Sequence, residues 1–536
     1  MTRKEFLIII PSLAVILWLL VNRAILAPFN IEDDYHYVKI AHPKIEYFGI
    51  YENPENYSTF SNFFTRYNIH SGRFRPLSLC TLWAFGKISD GNSSIISALL
   101  FIFALAALSC FYFLLRSFHV SRITACVFVL LFLTGKYEQI FYRRTGELFG
   151  ILFLFAGFIL YIYSVRQNLR LFLWLSFLSF VFSALFKESF AALLPSIGVG
   201  CAAIYCFEKN TKLTDAFLQL RLFLSALLTV FILLATGSIV ALKTISTYTF
   251  ENPITFSIQH FFSNAYSMCG SLSIWISILL IAGIFLRKKS FNRIHVLIIL
   301  TGSIWIASQL IVYKESDVSL SRYLLPAFVF PLFVSALCTE KLREIYGKKV
   351  FIPLLILLSL SISSGAKNSL INSSYYASRA TSYNNMLDYI GKTEIGKKDK
   401  IVTVIEQGGL YDFMESTAVF LSERKINPEL LFIEIKKNGK IKNYPVRDVI
   451  NDAIAIRQTK EADSTFILQK LRSDENMRII MFATPAPFCK LNPEIFSSFS
   501  YETIRFPRTY FNASWKDIAS GNFTKSDTIV YFLLKK

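Results

Sequence analysis

Apolar stretches of about 20 residues recur through the first 365 positions of the chain, and they constrain the fold more than any motif does. Twenty residues of α-helix rise about 30 Å, the thickness of a bilayer's hydrocarbon core. Within that core each backbone N–H and C=O must be satisfied inside its own segment, so such a chain folds as a bundle of spanning helices. Composition agrees. Of 536 residues, 53% are hydrophobic and 17% charged, where a soluble domain carries roughly a quarter charged residues.

Eleven candidate spans fall near 6–27, 93–115, 123–134, 147–164, 171–186, 190–206, 220–242, 269–286, 294–313, 322–338 and 350–365. The third and fifth are short for straight crossings and read as tilted or broken helices. The first follows Met1-Thr2-Arg3-Lys4 and outlasts the roughly 7–15 apolar residues of a secretory signal, which makes it an uncleaved anchor.

The net charge of +19 would suggest nucleic acid in a soluble protein, but no nucleic-acid module accompanies it. The basic residues instead collect in alternate short loops. After Arg3 and Lys4 come Arg116 and Arg122, Arg166 and Arg170, Lys209 and Lys212, then Arg287–Lys289 with Arg293, and finally Lys341, Arg343, Lys348 and Lys349. The positive-inside rule places all of these in the cytoplasm. An odd number of spans then puts the C-terminal part outside. The expectation is a multi-pass protein of a bacterial inner (cytoplasmic) membrane, with a cytoplasmic N-terminus and a periplasmic C-terminal domain. The eight cysteines, at 80, 110, 126, 201, 206, 269, 338 and 489, form no C-x-x-C pair and read as small buried hydrophobes.

Two large pieces lie on the outer side: a loop over 28–92, rich in Tyr, Phe and Asn, and a tail over 367–536 of ordinary soluble composition. The division is therefore a membrane module, 1–366, that includes the loop, and a C-terminal domain, 367–536. In the tail, strands are expected at Lys400–Ile405, Leu430–Ile435, Arg478–Ala483 and Thr528–Leu534, and helices near 375–390, 409–424 and 445–459. Alternating strands and helices predict an α/β domain. The cytoplasmic loops are short, the longest near 207–219, and neither a Walker nor a G-x-G-x-x-G loop is present. A nucleotide-binding domain is excluded on both counts.

Charge beside hydrocarbon is costly unless paired or hydrated, so its placement is informative. On the outer side it gathers at span ends. Asp33 and Asp34 follow the first span in Asn30-Ile31-Glu32-Asp33-Asp34-Tyr35-His36, and Arg73 and Arg75 lie in Gly72-Arg73-Phe74-Arg75-Pro76-Leu77. Arg143, Arg144 and Glu147 border the fourth span, Lys187 and Glu188 separate the fifth from the sixth, and Lys314, Glu315, Asp317 and Arg322 precede the tenth. Brought together, a carboxylate pair facing fixed cations suits displacement of a phosphate. The carboxylate takes the proton of an attacking hydroxyl, and Arg or Lys stabilises charge on the departing phosphate. Nucleotide sugars and ATP are not expected outside an inner membrane, so an activated donor there would be tethered to a lipid phosphate. Plainer roles exist for each residue. The aspartates can end a helix in water, the arginines can snorkel to headgroups, and Arg143 or Arg144 can pair with Glu147 one turn away. His36, His70 and His260 are scattered and give no metal-ligand spacing.

An Asp-Asp shortly after the first span, an Arg-Pro-Leu closing a large first outer loop and a Lys-Glu at a later span end resemble the GT-C superfamily, polytopic glycosyltransferases that use polyprenyl- or dolichyl-phosphate sugars. The layout is similar to bacterial O-antigen-modifying glucosyltransferases in particular. The resemblance implies an α-helical polytopic membrane fold of about eleven transmembrane helices with a C-terminal periplasmic α/β domain. It makes Asp33 or Asp34 the catalytic carboxylate, and it assigns the lipid phosphate to basic residues among Arg73, Arg75, Arg143, Arg144, Lys187 and Arg322, with Glu188 beside them. The implied reaction is an inverting transfer of a sugar from undecaprenyl phosphate to a periplasmic glycan acceptor such as O-antigen or lipopolysaccharide. No cofactor is implied, although the second aspartate has the chemistry to help hold a divalent cation. Two other readings share the architecture: a transporter or flippase of a lipid-linked or polar solute, and a polymerase or ligase of lipid-linked glycans.

Overall fold

Helices dominate, as the apolar blocks require. The computed structural model describes residues 3–29, 34–42, 58–71, 75–135, 138–142, 145–244, 293–312, 325–392, 400–406, 410–425, 429–435, 441–445, 477–482, 500–511, 520 and 523–535. In chain order the helices are α1 (Arg3–Ile25), α2 (Tyr35–Ala41), α3 (Phe60–Ser71), α4 (Pro76–Ser89), α5 (Ser93–Ser117), α6 (Arg122–Leu133), α7 (Thr145–Gln167) and α8 (Arg170–Phe186). They continue with α9 (Glu188–Ala191), α10 (Leu194–Lys209), α11 (Leu213–Gln219), α12 (Arg221–Thr244), α13 (Arg293–Val312), α14 (Leu325–Tyr346), α15 (Lys348–Lys392) and α16 (Leu410–Glu423). The strands are β1 (Lys400–Glu406), β2 (Glu429–Ile435), β3 (Ile441–Pro445), β4 (Met477–Phe482), β5 (Ser500–Phe511) and β6 (Thr524–Lys535).

Among the described residues six helices are long and apolar enough to cross a membrane: α1, α5, α7, α12, α14 and α15. Helices α6 and α8 are apolar but shorter, as expected of the third and fifth candidate spans. The expected count of eleven is not reached by that measure, and the segment near 269–286 lies outside the described residues.

The chain divides into two compact units, one of Met1–Asn22, Asn68–Thr81 and Ala98–Leu370, the other of Arg23–Tyr67, Leu82–Ser97 and Ile371–Lys536. In the first, α7 and α8 form a hairpin turned by Asn168, which takes the left-handed conformation (φ 55°) that Asn tolerates better than most residues. Small residues bring the two backbones close. The Ser176 hydroxyl donates to Gly157 O (2.8 Å) and the Ser183 hydroxyl to Gly150 O (2.6 Å). A Cβ on Gly150 would sit 2.4 Å from the Phe190 ring, so no larger residue fits there without movement. This is packing by small residues and interhelical hydrogen bonds, the means available where lipid supplies no hydrophobic drive between helices. Phe111, Phe132, Phe141 and Phe155 make a buried aromatic cluster beside it, with ring centroids 4.9–5.9 Å apart.

The basic residues that set topology in the sequence also hold carboxylates. Glu5, buried in α1, accepts from Tyr112 Oη (2.7 Å) and Arg116 Nε (2.9 Å). Arg166 grips Glu208 through Nε (2.9 Å) and Nη2 (2.6 Å). Glu340 accepts from the Thr124 hydroxyl (2.8 Å) and pairs with Arg343.

The second unit contains a six-stranded mixed sheet of order β3-β2-β1-β4-β6-β5. Strand β1 runs parallel to β2 and β4, and the remaining neighbours are antiparallel. Parallel β1 and β2 need a crossover, which α16 supplies, burying Val419, Phe420 and Leu421. All four expected strands are present, and β3 and β5 are additional. The helix expected near 445–459 falls beyond Pro445 outside the described residues. The 45-residue α15 runs unbroken through the expected boundary at 366/367, and the units change at Leu370/Ile371. The six described cysteines are free thiols, none fully exposed.

Candidate functional site

Of the acidic pair, Asp34 is described and Asp33 lies outside the described residues. Asp34 stands at the N-cap position of α2, where an aspartate ordinarily turns its carboxylate onto the first free backbone N–H groups. It makes no such bond and takes helical angles (φ −62°, ψ −27°) instead. Its side chain is buried, 3% exposed, and Oδ2 accepts from the Tyr376 hydroxyl at 3.2 Å. A solvated helix-ending role is therefore not what Asp34 performs. The following turn is equally unusual: Tyr35, His36 and Lys39 are all buried, with the Lys39 ammonium 5.3 Å from the centre of the Tyr35 ring. Burial of a lysine and a carboxylate on one short helix is costly without compensating contacts, and neither Lys39 nor Tyr376 stood out in the sequence. Lys39 could have been found as a charge inside a short apolar run; Tyr376 carries no such signal.

Residues 24–29, ahead of the pair, are held at both ends. Ala24 N donates to Ser373 Oγ (3.2 Å), and Asn384 Nδ2 donates to Phe29 O (2.8 Å). The Phe29 ring stacks between Tyr37 and Phe420, at 6.2 and 6.0 Å. All these groups belong to the second unit.

A second cluster lies in the first unit, at the break between α8 and α9. Lys187 is extended there (φ −163°, ψ 145°), which interrupts the helix and turns two adjacent charges to different partners. Lys187 Nζ donates to Glu147 Oε1 at 2.5 Å. Glu188 accepts from Arg75 Nε at both oxygens, 2.9 and 2.7 Å. Arg75 directly precedes Pro76, a residue suited to the first turn of α4, and Glu147 sits in the first turn of α7, where the helix dipole favours a carboxylate. From α13 the buried Gln309 donates Nε2 to Ser189 O (2.7 Å). That carbonyl lies next to the break, where the regular helical pattern is lost.

Three of the sequence-predicted residues, Arg75, Lys187 and Glu188, are thus brought together, and Glu147 joins them as the partner of Lys187. The sequence suggested a one-turn pairing of Glu147 with Arg143 or Arg144, which lie outside the described residues; the partner described here, Lys187, is 40 residues away. Gln309 was missed. Arg73, Arg143, Arg144 and Arg322 lie outside the described residues. Among the described residues no three His, Cys, Asp or Glu side chains are grouped to hold a metal ion.

The helical architecture has a counterpart among solved structures. In particular, the chain is similar to the solved apo structure of ArnT from Cupriavidus metallidurans, with a TM-score of 0.52 over 99% of this chain and 98% of that one, at 11% sequence identity. At that identity the likeness is one of fold. No protein-family profile and no curated protein sequence matches the chain.

Proposed function

We propose that the chain is a membrane glycosyltransferase that moves a sugar from a polyprenyl-phosphate donor to a glycan acceptor. The observation that carries this reading is Asp34, a carboxylate withdrawn from water and from helix capping yet held by a tyrosine hydroxyl. The ArnT-like fold and the GT-C resemblance of the sequence support a lipid-linked donor, and the apolar helices support a membrane setting.

In the proposed reaction Asp34 or its neighbour Asp33 takes the proton from an acceptor hydroxyl as that oxygen attacks the anomeric carbon. The bond from that carbon to the phosphate oxygen breaks with inversion, and the electron pair leaves on the polyprenyl phosphate. Cations answer the charge that develops there. Arg75 and Lys187 already face Glu188 and Glu147, so they offer little net positive charge. We therefore assign most of the phosphate's compensation to Arg73, Arg143, Arg144 and Arg322, with Arg75 and Lys187 shaping their surroundings. Undecaprenyl phosphate as the carrier, a periplasmic site and an O-antigen or lipopolysaccharide acceptor complete the reading.

The test uses native membranes charged with radiolabelled hexose, so that their own lipid-phosphate sugars carry label. Asp33→Asn and Asp34→Asn are made separately at normal protein levels. Loss of incorporation in one of them, with loss of free polyprenyl phosphate release, supports the reading. Full incorporation in both overturns it. Movement of labelled lipid without release of free polyprenyl phosphate identifies a transporter instead, and release of the pyrophosphate form identifies a polymerase or ligase.

A further inference from the structure

One face of α15 binds both the acidic segment and an edge of the C-terminal sheet. Ser373, Tyr376, Ala380, Tyr383 and Leu387 recur at intervals of three and four, the spacing of a single helix face, and Asn384 follows Ala380 by four. Along that face Ser373 Oγ accepts from Ala24 N, Asn384 holds Phe29 O, and the Tyr376 hydroxyl reaches Asp34. Ala24, Phe29 and Asp34 are therefore each tied to α15.

Ser374, one position along, faces two ways. Its Oγ accepts from Arg23 Nη1 at 2.9 Å and from Phe511 N at 3.0 Å. A hydroxyl oxygen has two lone pairs, so these two donors use both. Arg23 lies in the last turn of α1, directly before Ala24. Phe511 ends β5, which is an edge strand because it closes the sheet order. Edge strands carry backbone N–H groups that the sheet itself does not satisfy, and Ser374 satisfies this one. Tyr375 packs edge-on against Tyr510 (5.8 Å between centroids) beside the same contact. Ser374 is 2% exposed, so water does not readily replace either bond.

We infer that Ser374 and Tyr376 are positioning residues for the Asp34 carboxylate, and that Ser374 makes its placement depend on the β5 edge of the C-terminal sheet. The C-terminal domain is then part of what sets the reacting carboxylate, beyond any role in gripping the acceptor. This rests on the reading of the acidic pair as the centre of the chemistry.

The full chain in lipid nanodiscs tests the inference by hydrogen–deuterium exchange of peptides covering 23–29, 34–42 and 500–511, alongside thermal stability. Sugar incorporation is measured in the charged native membranes. Tyr376→Phe is expected to raise exchange several-fold at 34–42 alone. Ser374→Ala is expected to raise it at 23–29, 34–42 and the end of β5. In both variants the melting temperature stays within about two degrees and incorporation falls about tenfold, and Ser374→Thr, which keeps the hydroxyl, restores both readouts. Unchanged exchange at 34–42, or a rise spread over the whole chain, overturns the inference. Raised exchange at 34–42 with undiminished incorporation overturns it as well, since the tether would then exist without a catalytic consequence. Asp34→Asn, measured separately, shows whether the acidic-pair reading itself has failed.

Discussion

Lys187 and Glu147 meet at 2.5 Å across 40 residues of sequence, with the lysine 2% exposed. The pair closes α7 against the break between α8 and α9. Two charges buried this far from bulk water compensate each other.

Removal of one partner is therefore expected to cost more than removal of both. Lys187→Met or Glu147→Gln alone should lose about 3–5 kcal/mol, and the double variant Lys187→Met with Glu147→Met should recover much of that loss. Thermal melting of detergent-purified protein checks the order. Equal losses in the three variants would mean that the pair contributes packing and not compensated charge.

Asp34→Asn separates folding from chemistry. The asparagine carbonyl can still accept from the Tyr376 hydroxyl, so the melting temperature should hold within about two degrees. Transfer should fall about 10²–10⁴-fold if Asp34 is the general base. A comparable fall in Asp33→Asn with Asp34→Asn intact would move the assignment by one residue.

Glycines give a ranked prediction. A Cβ on Gly365 would lie 2.1 Å from the backbone carbonyl of Thr134, whereas one on Gly150 would meet the ring of Phe190 at 2.4 Å. A ring can rotate or shift more easily than a carbonyl inside packed helices. Gly150→Ala is expected to cost about 1–3 kcal/mol, the usual range for overpacking, and Gly365→Ala more. Expression and melting temperature of the two variants check the order.

Glu5 allows a fourth test. Its carboxylate joins Tyr112 and Arg116 in the interior of the first unit. Tyr112→Phe removes one neutral donor and is expected to cost about 1 kcal/mol. Glu5→Ala leaves Arg116 without its carboxylate and should cost about 3 kcal/mol or more. A melting-temperature difference of the opposite sign would refute this account.

The sequence and the fold agree where the signal is long. Apolar blocks such as 93–115 and 147–164 became α5 and α7 because a continuous apolar run has no other outcome in a bilayer. The two strands that were missed, β3 and β5, are the two edges of the sheet. Edge strands tolerate polar residues and proline, so Ile441–Pro445 with its Lys and Asn, and Ser500–Phe511 with Pro507, look like loops. At the site, Arg75, Lys187 and Glu188 were visible because charge at the end of an apolar block is costly wherever it points. Which of them would pair was not visible, since pairing of Lys187 with Glu147 depends on how helices cross. Tyr376 and Gln309 are uncharged and sit within helices, and only the folded chain gives them a role.

The break at Lys187 also bears on solvation. Backbone that leaves the helical pattern cannot face hydrocarbon, because its freed polar groups would find no partner there. Here the Ser189 carbonyl receives an amide from Gln309, itself wholly buried, so protein and not lipid surrounds the interruption. The interruption is thus enclosed by its own fold, and its freed carbonyl is satisfied by protein whatever the thickness of the bilayer around it.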